Sequence, residues 1–182
     1  MGDSSGEPEQ DAGLPEERPN ALQAYATLGQ YLEEDGWYPQ KVEDKHAYRM
    51  HYRGRNGETR CFVQIRTDLE QLIFYVVAPI NIPEDVRPSI AEFITRANYG
   101  LRIGNFELDY ADGEVRFKTS LDFEGELLTY SLIKHAVYPA VQTMDRYLPG
   151  LISFACENAK RGSESNGNEE GNEKDSQKSC DQ

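Results

Sequence analysis

The side chains with the widest chemical range in this 182-residue sequence are three histidines and three cysteines. His46 and His51 share one alternating stretch but differ in parity, so they point to opposite faces of a strand. His135 belongs to a later helical stretch. HxxxH, HExxH and clustered Cys–His spacings are absent, so no metal centre is expected. Cys61 falls on an apolar strand face and Cys156 near an apolar helical stripe, where thiols are buried and inert. With Cys180 the count is odd and no CxxC occurs, which fits a reducing cytoplasm. Ser120 and Ser131 lack a nucleophile motif. Asp109 and Asp112 flank a turn, where aspartate serves the backbone. No catalytic residue and no cofactor is expected.

Glycines offer a second chemistry. In "ANYGLRIGNFELDYADGEVRF" Gly100 and Gly104 sit four apart, as in a phosphate-cradling loop. A dinucleotide fingerprint runs strand, glycines, helix, so that the helix N-terminus meets the anion. Here a helix precedes the glycines and a strand follows, which places Gly100 at the negative end of the helix dipole. Gly100 is therefore expected as a left-handed residue just past the helix. Gly104 is expected to permit a turn or close packing where the strand begins.

A third constellation is basic. Arg49, His51 and Arg53 share one face of "HAYRMHYR". Arg60, Phe62, Gln64 and Arg66 share a face of "TRCFVQIRT", its hairpin partner. Paired, they form either a docking face for an acidic segment or single-stranded nucleic acid, or a solvated face with cross-strand charge pairs. Net acidity argues against nucleic acid, because counterion release needs sustained positive charge. Arg49, His51, Arg53, Phe62 and Arg66 are the candidate contacts with a protein partner. A reading of another class puts a ligand or substrate pocket between sheet and last helix, lined by Tyr130, His135 and Asp145.

The elements that must hold these residues follow from period. Leu22, Tyr25, Leu28 and Leu32 mark a first helix with Asn20 as N-cap and Gly36 as its stop. Trp37–Glu43 holds a short strand that Pro39 confines to an edge. The two basic strands meet at Asn56-Gly57, a hairpin signal. "QLIFYVVAP", apolar on both faces, reads as a central strand. Val86, Ile90, Phe93, Ile94 and Ala97 mark a second helix, with Glu84 and Asp85 in its first turn. Phe106, Leu108 and Tyr110 oppose Val115, Phe117 and Leu121 across a turn at Asp112-Gly113. A long last helix spans Glu126–Lys160, with kinks expected at Pro139 and Pro149. The order α-β-β-β-β-α-β-β-α, its first strand the least marked, describes an α+β fold with a mostly antiparallel sheet.

The formal net charge of −13 is concentrated at the ends. Residues 1–19 carry six carboxylates against Arg18, and residues 161–182 six against three cations. Lacking apolar periodicity, both segments are expected to be disordered tails around one domain at 20–160. No uncharged run is long enough to cross a bilayer, and the acidic start is unlike a secretory signal. A cytoplasmic protein is expected.

"FITRANYGLRIGNFELDYADGEVRFKTSLDFEGELL", followed by "TMDRYLPGL", resembles the bacterial YbjN family. The match runs over about Ala21–Lys160. The shared pattern falls on Asn98, Gly100, Gly104, Asn105, Phe106, Asp112, Gly113, Met144, Asp145, Tyr147 and Pro149. The resemblance implies a fold like that of type III secretion chaperones, frequent dimerisation, and a role as sensory-transduction regulator or chaperone-like protein. It implies no chemistry. A protein-binding module is therefore expected that acts as chaperone, adaptor or regulator of a partner protein and forms a C2 homodimer.

Overall fold

In a computed structural model, residues 18–165 are described, with side chains described to Cys156. The acidic ends and Cys180 lie outside them. The order is α1 (Pro19–Glu34), β1 (Gln40–Lys41), β2 (Ala47–Arg53), β3 (Glu58–Arg66), β4 (Gln71–Asn81), α2 (Arg87–Gly100), β5 (Asn105–Leu108), β6 (Glu114–Asp122) and α3 (Tyr130–Ser165). The strands form one sheet in the order β1-β2-β3-β4-β6-β5. Every neighbouring pair is antiparallel. The α+β class and the expected element order both hold.

Alternation decides which face is covered. Cys61, Val63, Leu72, Phe74, Val76 and Phe117 point to one side, where Leu28 and Leu32 of α1 and Val137 and Val141 of α3 close over them. Burying one such side chain contributes about 1.5–3 kcal/mol, which fixes the register against a one-residue slip. β4 is interior as expected, but only one of its faces is sealed. Ile73, Tyr75 and Val77 on the other face are half-buried.

Several local expectations are corrected. Arg18, not Asn20, is the N-cap of α1. Pro19 takes the first helical position, where its missing N–H and fixed φ cost nothing, and Asn20 Nδ2 donates instead to the Glu126 carbonyl at 2.9 Å. Gly100 lies inside the last turn of α2, which ends through Leu101 in extended conformation. The left-handed glycine is Gly104, at φ +72°. Glu84 and Asp85 form a 3₁₀ turn ahead of α2 rather than its first turn.

The β2–β3 hairpin closes through Gly54–Gly57, with Arg53 opposite Glu58, and not through a two-residue Asn-Gly turn. Asn56 is diverted because its N–H donates to Asp145 Oδ1 at 2.7 Å. Tyr110 leaves the strand and stands exposed in the Asp109–Gly113 loop, where Gly113 supplies φ +78°. α3 is one helix across both prolines. Cys156 is exposed, whereas Cys61 is buried, and its thiol is pushed up to about 12 by burial.

Candidate functional site: the uncovered face of the sheet

The register assembles the basic stretch seen in the sequence. Across the uncovered face Arg49 lies opposite Phe62, Phe62 opposite Tyr75, and Tyr75 opposite Lys118. The adjacent row runs from His51 through Arg60, Val77 and Arg116 to Glu107. All five candidate contacts stand on this face. The Phe62 and Tyr75 rings are 6.3 Å apart, and the Arg116 guanidinium sits 4.5 Å from the Tyr75 centroid.

Ion pairing sorts the cations. Glu58 receives His51 Nδ1 at 3.2 Å and Arg53 Nη2 at 3.1 Å. Arg53's hydrogen bond and charge, helped by His51, hold the Glu58 carboxyl below its ordinary value. Arg66 binds Asp68 through two nitrogens at 3.1 and 2.9 Å. Glu107 takes Arg116 Nε at 2.8 Å and also the Lys118 ammonium. Burial pushes the Glu107 carboxyl up, but the two cations outweigh it and hold it below the ordinary range. Arg49 and Arg60 are exposed, and among the described residues neither has an acidic partner. The charge-pair reading thus accounts for His51, Arg53 and Arg66 and leaves Arg49 and Arg60 over.

Period alone brings Arg49, Arg60 and Phe62 to this face. It gives no sign of Tyr75, Ile73, Val77 or Arg116 as their neighbours. The available signal is the apolar outer face of "QLIFYVVAP", which needs the β3–β4 register to become a patch.

The glycine-rich stretch is an edge clamp. Asn98 Oδ1 accepts the Phe106 N–H at 2.8 Å, and its Nδ2 donates to the Phe106 carbonyl at 3.1 Å. Asp109 donates its N–H to the Glu114 carbonyl across the hairpin, so by alternation the peptide groups of Phe106 face outward. Asn98 therefore occupies the place of a seventh strand. Gly104 is required beneath it, because a Cβ there would lie 2.6 Å from the Lys118 carbonyl. Phe106 packs on Phe117 at 4.8 Å and Tyr147 at 5.2 Å. Asn105 opposes Lys118, Asp112 Oδ1 accepts the Glu114 N–H at 2.8 Å, and Met144 is fully buried.

Tyr130, His135 and Asp145 do not converge. Tyr130 packs edge-on to Tyr31 at 5.3 Å, His135 is exposed, and Asp145 is engaged by Asn56. Fifteen residues of helix put Tyr130 and Asp145 about 22 Å apart. Val137 and Val141 fill the space beneath α3. A surface depression of about 420 Å³ lies elsewhere, lined by Glu107, Leu108, Asp109, Tyr110, Glu114 and Arg116. Among the described residues no His/Cys/Asp/Glu group could hold a metal ion, and no helix is long and apolar enough to cross a membrane.

Comparison with known proteins gives the fold its relatives. No curated protein matches the chain. A chain in the crystal structure of the ExsC–ExsE complex superimposes with a TM-score of 0.53 at 11% identity, covering 71% of this chain and 93% of that one. YbjN from E. coli, described as "a putative transcription regulator", superimposes with a TM-score of 0.53 at 14% identity, covering 68% of this chain and 87% of that one. At such identities the likeness is one of fold. The family profile described as "Putative bacterial sensory transduction regulator" matches residues 25–153, and the chain belongs to that family, YbjN.

Proposed function

We propose that this domain is a protein-binding module, a chaperone, adaptor or regulator that holds an extended segment of a partner across its uncovered sheet face. One observation carries the reading: the helices cover one face, while the other sets Phe62, Ile73, Tyr75 and Val77 side by side next to two unneutralised arginines. Half-exposed aromatics beside arginine are the composition of interface centres. The ExsC–ExsE structure supports the reading by its fold alone, as a domain of this shape solved in complex with a protein. The face offers apolar contact and charge, not the convergent polar groups of an active site. In this reading the protein works in the cytoplasm and pairs as a homodimer away from this face. The α2–β5 corner suits that pairing, since Tyr99 is 96% and Ile103 51% exposed.

A photo-crosslinking residue placed at Phe62 tests it, with one at Thr95 on α2 as control. In native lysate the first should capture a defined protein that the second does not, and R49E/R60E should abolish the capture while the circular dichroism spectrum is unchanged. Equal capture from both positions, or none from Phe62, would overturn the reading.

A further inference from the structure

We infer that the occupant of this face is an extended acidic segment carrying two carboxylates at alternate positions followed by an aromatic or aliphatic anchor. The inference rests on the protein-binding role proposed above and adds the chemistry of the partner. Arg49 lies opposite Phe62, and Arg60 is two residues along the same strand. The two arginines are thus diagonal neighbours, about 7–8 Å apart. Same-side residues of an extended chain repeat every ~6.8 Å. Carboxylates at i and i+2 therefore match the two free guanidinium groups, each able to take its partner bidentately. The line from Arg49 to Arg60 runs on over β4 beside Val77, which lies opposite Arg60, so the next same-side position, i+4, meets Val77.

Charge selects the class of macromolecule. The surrounding cations Arg53, Arg66, Arg116 and Lys118, and the His51 ring, are already engaged by Glu58, Asp68 and Glu107. Of the cations on this face of the sheet, Arg49 and Arg60 alone, among the described residues, stand without a carboxylate partner. That suits a short acidic motif and repels a continuous phosphate backbone. A second copy laid on this face antiparallel about Phe62 would set arginines against arginines, which is unfavourable. The chain's own Glu7, Glu9 and Asp11 have the alternate spacing but place a carboxylate where the anchor belongs.

The probe is a synthetic peptide containing Glu-Thr-Glu-Thr-Phe, compared with its isomer Glu-Glu-Thr-Thr-Phe and with the oligonucleotide (dT)10. Binding is followed by amide and arginine side-chain NMR shifts of the full chain. The alternate-spaced peptide should shift Arg49, Arg60, Phe62 and Val77 and bind at least tenfold more tightly than its isomer. R49Q/R60Q should remove that preference without changing the melting temperature. Equal binding of the isomers, tighter binding of (dT)10, or shifts confined to the helical face would overturn the inference. So would occupancy of the face without peptide, seen as dilution-dependent shifts at Phe62 (a second copy) or shifts there on E7Q/E9Q (the chain's own segment). Failure of the peptides with retained crosslinking from Phe62 rejects this partner chemistry and leaves the protein-binding role standing. Loss of the crosslinking rejects both.

Discussion

Asn56 Nδ2 donates to the Asp145 main-chain carbonyl at 2.9 Å, and that carbonyl lies four residues before Pro149. Within a helix it would accept the N–H of residue 149, which proline lacks. A hairpin loop thus supplies the hydrogen bond that the helix cannot. The same asparagine gives its N–H to the Asp145 carboxylate at 2.7 Å. The proline is accommodated by long-range contact, and the contact ties β2 and β3, which carry Arg49 and Arg60, to α3.

That relationship predicts coupling between residues far apart in sequence. Asn56→Ala should cost about 1 kcal/mol, the net value of a hydrogen bond of this kind. In a P149A background residue 149 has its own N–H to offer Asp145, so the same change should cost measurably less. Urea denaturation of the four proteins gives both costs. Equal costs in the two backgrounds would show that the Asn56 amide does not substitute for the missing helix bond.

Asn98 predicts a different failure. Its side chain satisfies both outward groups of Phe106. Asn98→Ala should destabilise by about 1–3 kcal/mol, because it strips partners from a backbone edge that is otherwise half-buried. It should also uncover a strand edge able to recruit another chain. Expected are faster amide exchange at Phe106 and association beyond the parent's own dimer in sedimentation, both less pronounced in N98D, which keeps the acceptor. A melting temperature within a degree of the parent would refute the clamp.

Much of this architecture is legible in the sequence, and the exceptions share a physical cause. Period-two patterns reveal β2 and β3 because one face of each is buried and the other is wet, as at Cys61 and Arg60. The hairpin at Asn56 is recognisable but its turn type is not, since Asp145, 89 residues away, takes the Asn56 N–H. For Gly100 and Gly104, dipole direction settles which end of a helix they meet but not which of them turns left-handed. The candidate face is half visible. Local alternation places Arg49 and Phe62, while the β3–β4 register that adds Tyr75 depends on long-range pairing. Which arginines remain free is decided only by where Glu58, Asp68 and Glu107 come to rest.

The two glycines predict opposite outcomes. At Gly104, φ is +72° and a Cβ would crowd both the Phe117 ring and the Lys118 carbonyl. Gly104→Ala should therefore destabilise by more than the ~1 kcal/mol expected from positive φ alone. At Gly100 a Cβ would meet nothing within 4 Å, and the residue is helical. Gly100→Ala should be neutral or stabilise by up to about 1 kcal/mol. Thermal unfolding of both variants decides the matter, and a destabilised G100A would restore the left-handed reading of that residue.

Acid stability should be sensitive to Asp35. Its Oδ2 accepts from the Tyr138 hydroxyl at 2.8 Å, the Trp37 indole at 2.9 Å and the Tyr31 hydroxyl at 3.1 Å. Partial burial pushes this carboxyl up, but the three donors outweigh it, Tyr138 foremost, and its pKa falls below the ordinary aspartate value. The carboxylate sits at the C-cap of α1, where the helix dipole disfavours negative charge, so the aromatic donors also offset that repulsion. A folded-state pKa below the unfolded one, about 3.9, stabilises fully above that pH and loses the contribution as pH drops through the folded value. D35N should therefore be less stable than the parent at pH 7, and the gap should close below pH 4. Stability curves from pH 2 to 7 by urea titration measure it directly. A gap that persists unchanged to pH 2 would mean that Asp35 acts through shape and hydrogen bonding, with its charge contributing nothing.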